Sequence, residues 1–277
     1  MRTLLAGVFA LVLALPASAG FSVDFPLVMG LAGASTRFYT AMDITNNSSE
    51  VTDVTFEYIS DNLAIDVAGV LLANLPGHGN FHADDFIQYL AAQGFLTPAQ
   101  AANTKGTLLL TFTNPSFATG TEASATLRTF NYVTPGQRPS IGFAYRAIPL
   151  RKNGLHTLTS VVNDTHATVG TLPRVLSHLG LEHIGIDDAG NVDTAPVTLK
   201  LAFTDPVTGG PIGPQPTVTL QSGQMKQLND LWRTYGLPTA STSLLVSVTE
   251  TAGTAQIRGF VLVKDVTTND LSFYLMQ

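Results

Sequence analysis

The sequence predicts a mainly β protein: two tandem antiparallel β-sandwich domains of immunoglobulin-like or fibronectin-like architecture, each with one short amphipathic helix. Three observations predict it. A strand-like stretch at 107–114, Thr-Leu-Leu-Leu-Thr-Phe-Thr-Asn, has a near-copy at 243–250, Ser-Leu-Leu-Val-Ser-Val-Thr-Glu. Each copy follows a short helix signal that opens at Asp85 or Asp230, and each precedes a strand reading Ala-x-apolar-Arg-x-Phe, at 125–130 and 255–260. The composition, with 24 Gly, 15 Pro and 12% charged residues, is that of short strands punctuated by turns.

Taken in order, the chain begins with a secretory signal peptide. Arg2 supplies a positive n-region, residues 4–15 an apolar h-region, and Ala17-Ser18-Ala19 a small-x-small cleavage site before Gly20. The apolar run is shorter than the roughly 20 residues that span a bilayer. Removing these 19 of 277 residues leaves 258, enough for two domains with their own cores, at 20–149 and 150–277.

In the first domain, Phe38, Thr40, Met42 and Ile44 alternate onto one strand face, and Asn46-Asn47-Ser48-Ser49 ends that strand with turn chemistry. Val54, Phe56 and Tyr58 mark the next strand, and 67–75 a further one. Pro76-Gly77 then turns the chain into a helix in which Phe86, Ile87, Leu90 and Ala91 fall at helical spacing, Asp84 and Asp85 sit at the positive end, and Gly94 stops it. Thr97-Pro98 caps a second helical turn. The strand at 107–114, a connection through Pro115 and Gly120, and strands over 125–133 and 136–148 complete the unit.

The same order returns in the second domain. Residues 196–203 match 53–60, and 220–231 match 75–86 without a gap. The second helix is about one turn shorter, with Leu231, Trp232 and Tyr235 as its apolar face, and from Ala125 and Ala255 onward the copies keep a constant offset. This agreement in element order points to duplication. Between the copies, 151–174 is irregular: Asn153-Gly154 and Asn163-Asp164 signal turns, 156–162 reads as an extra strand, and the boundary falls near Leu150. The Cys, Trp, Cys hallmark of true immunoglobulin domains is absent, so the expectation concerns architecture alone.

Charge and composition exclude several classes. With Arg2 in the leader, 13 of the 14 basic side chains face 20 acidic ones, a formal charge of −7. The basic residues are scattered, which argues against a nucleic-acid partner. There is no cysteine, so no disulfide and no lipidated N-terminus is expected, and no later apolar stretch is long enough for a membrane helix. G-x-S-x-G and H-E-x-x-H motifs are missing, so neither catalytic, cofactor-binding nor metal-ligating residues are assigned.

Four constellations are nonetheless worth placing. His78 and His82 lie four apart, followed by Asp84 and Asp85, and would share a face on an extended strand beside carboxylates, the donor types of a transition-metal site. Surface drift is the alternative, because the second copy has Gly223 and Gln227 at the histidine positions. Asp187, Asp188 and Asp193 place hard oxygen donors in a turn without EF-hand spacing, which reads as Asx-type turn chemistry before it reads as calcium. Asp85 with Arg128, and Asp230 with Arg258, are the duplicated acid–base pairs, expected to tie each helix to its sheet. Trp232 and Tyr235 are either core or a sugar-stacking platform.

The Pro-Gly turn, the Asp-led helix and the strand Arg128-Thr129-Phe130-Asn131, repeated in degraded form as Arg258-Gly259-Phe260-Val261, resemble uncharacterised exported bacterial proteins with tandem immunoglobulin/fibronectin-like β-sandwich repeats. The resemblance covers most of the chain after the leader. It implies a sandwich fold and export, and it transfers no catalytic residues. The expected function is a non-enzymatic binding or structural module of the cell surface, periplasm or extracellular matrix, with a protein or glycan partner or self-assembly through strand edges. A carbohydrate-active or carbohydrate-binding protein is the alternative.

Overall fold

A computed structural model of the chain describes residues 20–32, 37–117, 120–132, 140–146, 148–149, 156–164, 168–169, 172–173, 175–189, 191–267 and 271–277. The leader at 1–19 and the Asn153-Gly154 turn signal lie outside the described residues. The first half runs β1 (Phe21–Ala32), β2 (Arg37–Asn46), β3 (Thr52–Ser60), β4 (Asp66–Leu75), β5 (Asn80–Ala83), α1 (Phe86–Ala92), α2 (Pro98–Ala102), β6 (Asn103–Phe112), β7 (Ala123–Tyr132), β8 (Ser140–Arg146) and β9 (Ile148–Pro149). The second half runs β10 (Thr157–Asn163), β11 (Thr168–Val169), β12 (Leu172–Pro173), β13 (Val175–Asp187), β14 (Val197–Thr204), β15 (Thr217–Leu220), β16 (Met225–Leu228), α3 (Leu231–Tyr235), β17 (Ser243–Ala252), β18 (Ala255–Asp265) and β19 (Leu271–Leu275).

The protein is mainly β, and every strand pairing among the described residues is antiparallel, as in a sandwich. Alternation fixes which face each strand buries. Val54, Phe56 and Tyr58 of β3, Leu108, Leu110 and Phe112 of β6, and Thr40, Met42 and Ile44 of β2 all turn into one core. The strands join in the order β4-β3-β6-β1, with β5-β2-β7-β8 as the facing layer, and Leu31 and Ala32 of β1 pair with Phe38 and Arg37 of β2 to link the two. Pro26, which cannot donate to a ladder, sits at the register shift of β1 against β6. In the second half the orders are β15-β14-β17-β10 and β16-β13-β18-β19, the same succession strand for strand. Both halves close alike: β9 pairs with Val23 and Asp24 of β1, while Gln277 exchanges backbone hydrogen bonds with Thr159 of β10.

The helices follow their cap signals. Asp85 accepts from the Gln88 N–H at the start of α1, and Asp230 from the Arg233 N–H at the start of α3. Thr97 and Gln100 form a capping box on α2. Gly94 (φ +83°) and Gly236 (φ +60°) take the left-handed conformation that ends α1 and α3.

The halves are stacked. One face of β13 and β18 looks into the second half's own core through Leu179, Leu181, Ile257 and Val261, while Phe260 and Leu262, with Met225 of β16, join the core of the first half. Gly180 makes this possible: the Phe260 ring lies across it, and a Cβ there would meet the ring at 2.0 Å. The Phe273 ring stacks on Phe143 and on Phe260, each at 5.1 Å. At the margin, Lys105 Nζ donates to Gln227 Oε1 at 3.0 Å and lies 3.4 Å from Asp61 Oδ2, and Gln224 Nε2 donates to the Asp61 carbonyl at 3.4 Å.

Candidate functional site

The metal-like pattern at His78 and His82 is dispersed by the backbone. His78 occupies the turn before β5 in a left-handed conformation (φ +58°), so the two rings do not share a strand face. His82 stands opposite Asp43 across the β2–β5 ladder. Its Nδ1 is 2.6 Å from Asp43 Oδ1 and its Nε2 is 2.9 Å from Asp84 Oδ1, and Arg128 donates to the other Asp43 oxygen at 2.7 Å. Hydrogen bonds to Asp84 and Asp43 push the imidazole of His82 above its usual range. Burial works to raise Asp43, but the bonds from His82 and Arg128 outweigh it and hold that carboxylate low.

The expected pairs of helix aspartate with strand arginine do not form. Asp85 pairs with Arg37 at 3.0 Å, and Arg128 with Asp43. Asp230 is engaged as a cap and accepts from the Arg233 N–H at 3.2 Å, while Arg258 faces the other half of the molecule. Arg37 and Arg128 share one face of the β2–β7 ladder, but Arg128 stands opposite Ala41 and takes the neighbouring Asp43 carboxylate, which leaves Asp85 to Arg37.

In the loop after β13, Asp187 accepts from the N–H groups of Ala189 and Asn191 and from the Asn191 amide. Asp193 accepts from Ala195 N–H and Thr254 Oγ1. The bonds from Ala189, Asn191 and Ala195 are the local bonds of Asx turns, and the one from Thr254 ties the loop to the connection between β17 and β18. Asp188 instead reaches His156, whose Nε2 lies 2.9 Å from Asp188 Oδ2 and whose Nδ1 contacts Glu250 Oε2. Asp188 and then Glu250 raise that imidazole, as Asp84 and Asp43 do His82. Trp232 is 4% exposed and belongs to the core beside α3, with its indole N–H donating to the Ser241 carbonyl at 2.9 Å. Tyr235 packs against Phe203 with ring centroids 5.5 Å apart. Among the described residues no three or more His, Asp and Glu side chains are gathered so as to hold a metal ion.

The densest buried chemistry lies between the halves. Asp24 of β1 and Glu182 of β13 are each 2% exposed, and Arg258 of β18, which stands opposite Glu182 in the ladder, is 8% exposed. Asp24 and Glu182 line a cavity of about 20 Å³ together with Glu57, Ile59, Thr107 and Leu109 from the first half and Ile184 and Gly223 from the second. That is room for about one water molecule. Burial pushes Asp24 up to about 7 against the opposing pull of Arg258. Burial and then the Asp24 charge push Glu182 well above the carboxylate range. Asp24 Oδ2 and Glu182 Oε2 are buried and receive no hydrogen bond from any protein N–H or O–H group.

Sequence reasoning passed over Asp24, Glu57, Glu182 and the His156 cluster. One signal was present. Residues 179–186 and 257–263 read as near-continuous apolar runs interrupted by Glu182-His183 and Arg258, the pattern of strands covered on both faces, whereas 243–250 alternates as a strand with one solvated face does.

No family model matches the sequence, and no curated protein is similar to it at the level of sequence. Among solved structures, the red sea bream transglutaminase is similar at 9% identity over 94% of this chain and 30% of that chain, with a TM-score of 0.14. The chain therefore spans less than a third of that enzyme's length, and no functional argument rests on the likeness.

Proposed function

We propose that the chain is an exported, non-enzymatic binding or structural module of the cell surface, periplasm or extracellular matrix, built by duplication of one immunoglobulin-like or fibronectin-like sandwich. The observation that carries this reading is where the ionisable side chains go. Both ring nitrogens of His82 and of His156 are engaged by carboxylates, Asp85 and Asp230 cap helices, and Asp187 and Asp193 close turns. The potential reactants serve the fold, while the margins of the sheets offer backbone. β4 is ten residues long, pairs with β3 on one side, exposes Val70 at 53%, and has Asp66 as its single charge. Such an edge is where another chain adds a strand. The identical strand order of the two halves supports duplication.

Burial of Trp232 favours this reading over the carbohydrate alternative, because a stacking platform must present its ring to the sugar. Among the described residues no helix is long and apolar enough to cross a membrane. The test is fractionation of the source cells with mass analysis of the recovered protein. The expected result is a chain starting at Gly20 in the periplasm, the envelope or the medium. A full-length chain in the cytoplasm would contradict export, and retention on an insoluble polysaccharide would transfer the assignment to the carbohydrate-binding alternative.

A further inference from the structure

We propose that the contact between the two halves is a proton-operated latch, closed when Asp24 and Glu182 hold one proton between them beside Arg258 and opened when that proton leaves. The geometry points to it in three ways. The three side chains come from both halves, Asp24 from β1 and Glu182 and Arg258 from the sheet that docks on it, so their balance of charge is a property of the docked state. All three are more than nine-tenths buried. Two carboxyls and one guanidinium are neutral together only if one carboxyl keeps its proton; without it a net negative charge is enclosed between apolar sheet faces, a costly arrangement in a medium of low dielectric.

The surrounding groups do not supply the missing positive charge. From β3, Glu57 lines the same cavity and adds acid, with burial and Asp66 of β4 holding it above its usual range. From β6, Lys105 is engaged by Asp61 and Gln227. Further along β13 and β18, His178 feels Lys264, Asp230 and Lys105 rather than the acid pair. His183, next to Glu182, turns to the opposite face, where its Nε2–H donates to the Ala195 carbonyl and its Nδ1 accepts from the Gly185 N–H. β16 and β19 bring Met225, Gln227, Leu271 and Phe273 to this side, none of which titrates.

Direction follows from the protonated form being the docked one. The ratio of closed to open molecules falls about tenfold per pH unit for one proton once the medium is above the open-state carboxylate value, and the fall continues until the docked pair itself has ionised. Acid to neutral conditions keep the halves together and alkaline conditions release them, with each sheet pair left intact.

The test is small-angle X-ray scattering with far-ultraviolet circular dichroism on the purified protein from pH 5 to pH 9, beside Glu182→Gln and Asp24→Asn. The expected result for the natural protein is a rise in radius of gyration above neutral pH with the β-sheet spectrum unchanged. Each amide variant, which needs no proton, stays compact throughout. An unchanged radius up to pH 9, an expansion accompanied by loss of the β-sheet spectrum, or amide variants that expand as the natural protein does would each overturn the latch. Should one variant fail to fold, the pH series on the natural protein together with the other variant still decides.

Discussion

At the scale of single residues, the same histidine–carboxylate chemistry appears in settings that differ in consequence. His82 sits between two carboxylates at an exposed position, where ion pairs contribute little, whereas His156 bridges an exposed Asp188 and a nearly buried Glu250. His82→Ala is expected to cost at most about 1 kcal/mol, and His156→Ala more, because it strips the partner from the Glu250 carboxylate, which is 7% exposed. Both imidazoles are raised in the folded protein, so their contribution is full below the unfolded value near 6.5 and is lost as pH rises through the folded value. Urea denaturation at pH 5.5 and pH 8.5 checks this, with the variant and the natural protein converging at the higher pH. Arg258 is a different case. Replacing it with Met leaves the buried acids without their cation, and the expected loss is about 3–5 kcal/mol, larger at pH 8 than at pH 5 because protonation relieves the uncompensated charge. Asp24 and Glu182 follow the rule for raised acids as one coupled pair: the stabilisation is complete below the ordinary carboxylate range and is lost as pH rises through the raised range of the pair.

At the scale of elements, the short helices depend on their first residue. Asp85 caps α1 from an extended conformation, whereas Asp230 caps α3 from a left-handed one (φ +45°). Asp85→Ala is expected to cost about 0.5–2 kcal/mol. Asp230→Ala should cost roughly 1–2 kcal/mol more, since it adds an unfavourable backbone to the lost cap, and Asp230→Gly should recover most of that difference; thermal denaturation of the three variants checks the order. Gly180→Ala is expected to cost about 1–3 kcal/mol by forcing the Phe260 ring off β13. These elements also mark what the sequence could disclose. Period-two alternation in β2, β3, β6 and β17, the helix-opening Asp85 and Asp230 and the terminating Gly94 are local signals, and they placed strands and helices correctly. The partners of Arg128 and Arg258 are not local. Both arginines stand on the outer face of equivalent strands, yet Arg128 meets Asp43 at a half-exposed surface while Arg258 is enclosed. Pleat alone cannot distinguish an outer face left to solvent from one covered by another sheet.

At the scale of the whole molecule, that covering explains why aligned positions diverge. His78, in the turn before β5, and His82, on β5, are each exposed to solvent, whereas at the aligned positions of the second half a Cβ on Gly223 would meet Ile59 at 2.4 Å and Gln227 accepts from Lys105 at the docked face. Exposed imidazoles are tolerated at the open positions, and a small residue and an amide suit the closed ones. The contact between the halves thus mixes Phe260, Leu262 and Phe273 with the Asp24, Glu182 and Arg258 cluster. Apolar contact supplies most of the attraction, and the ionisable cluster makes it conditional on a proton. The most direct measurement is a carbon-13 NMR titration of the side-chain carboxyls. One glutamate carboxyl is expected to remain protonated at pH 6, and its resonance to be missing from Glu182→Gln. Titration of every aspartate and glutamate below pH 5 would contradict it.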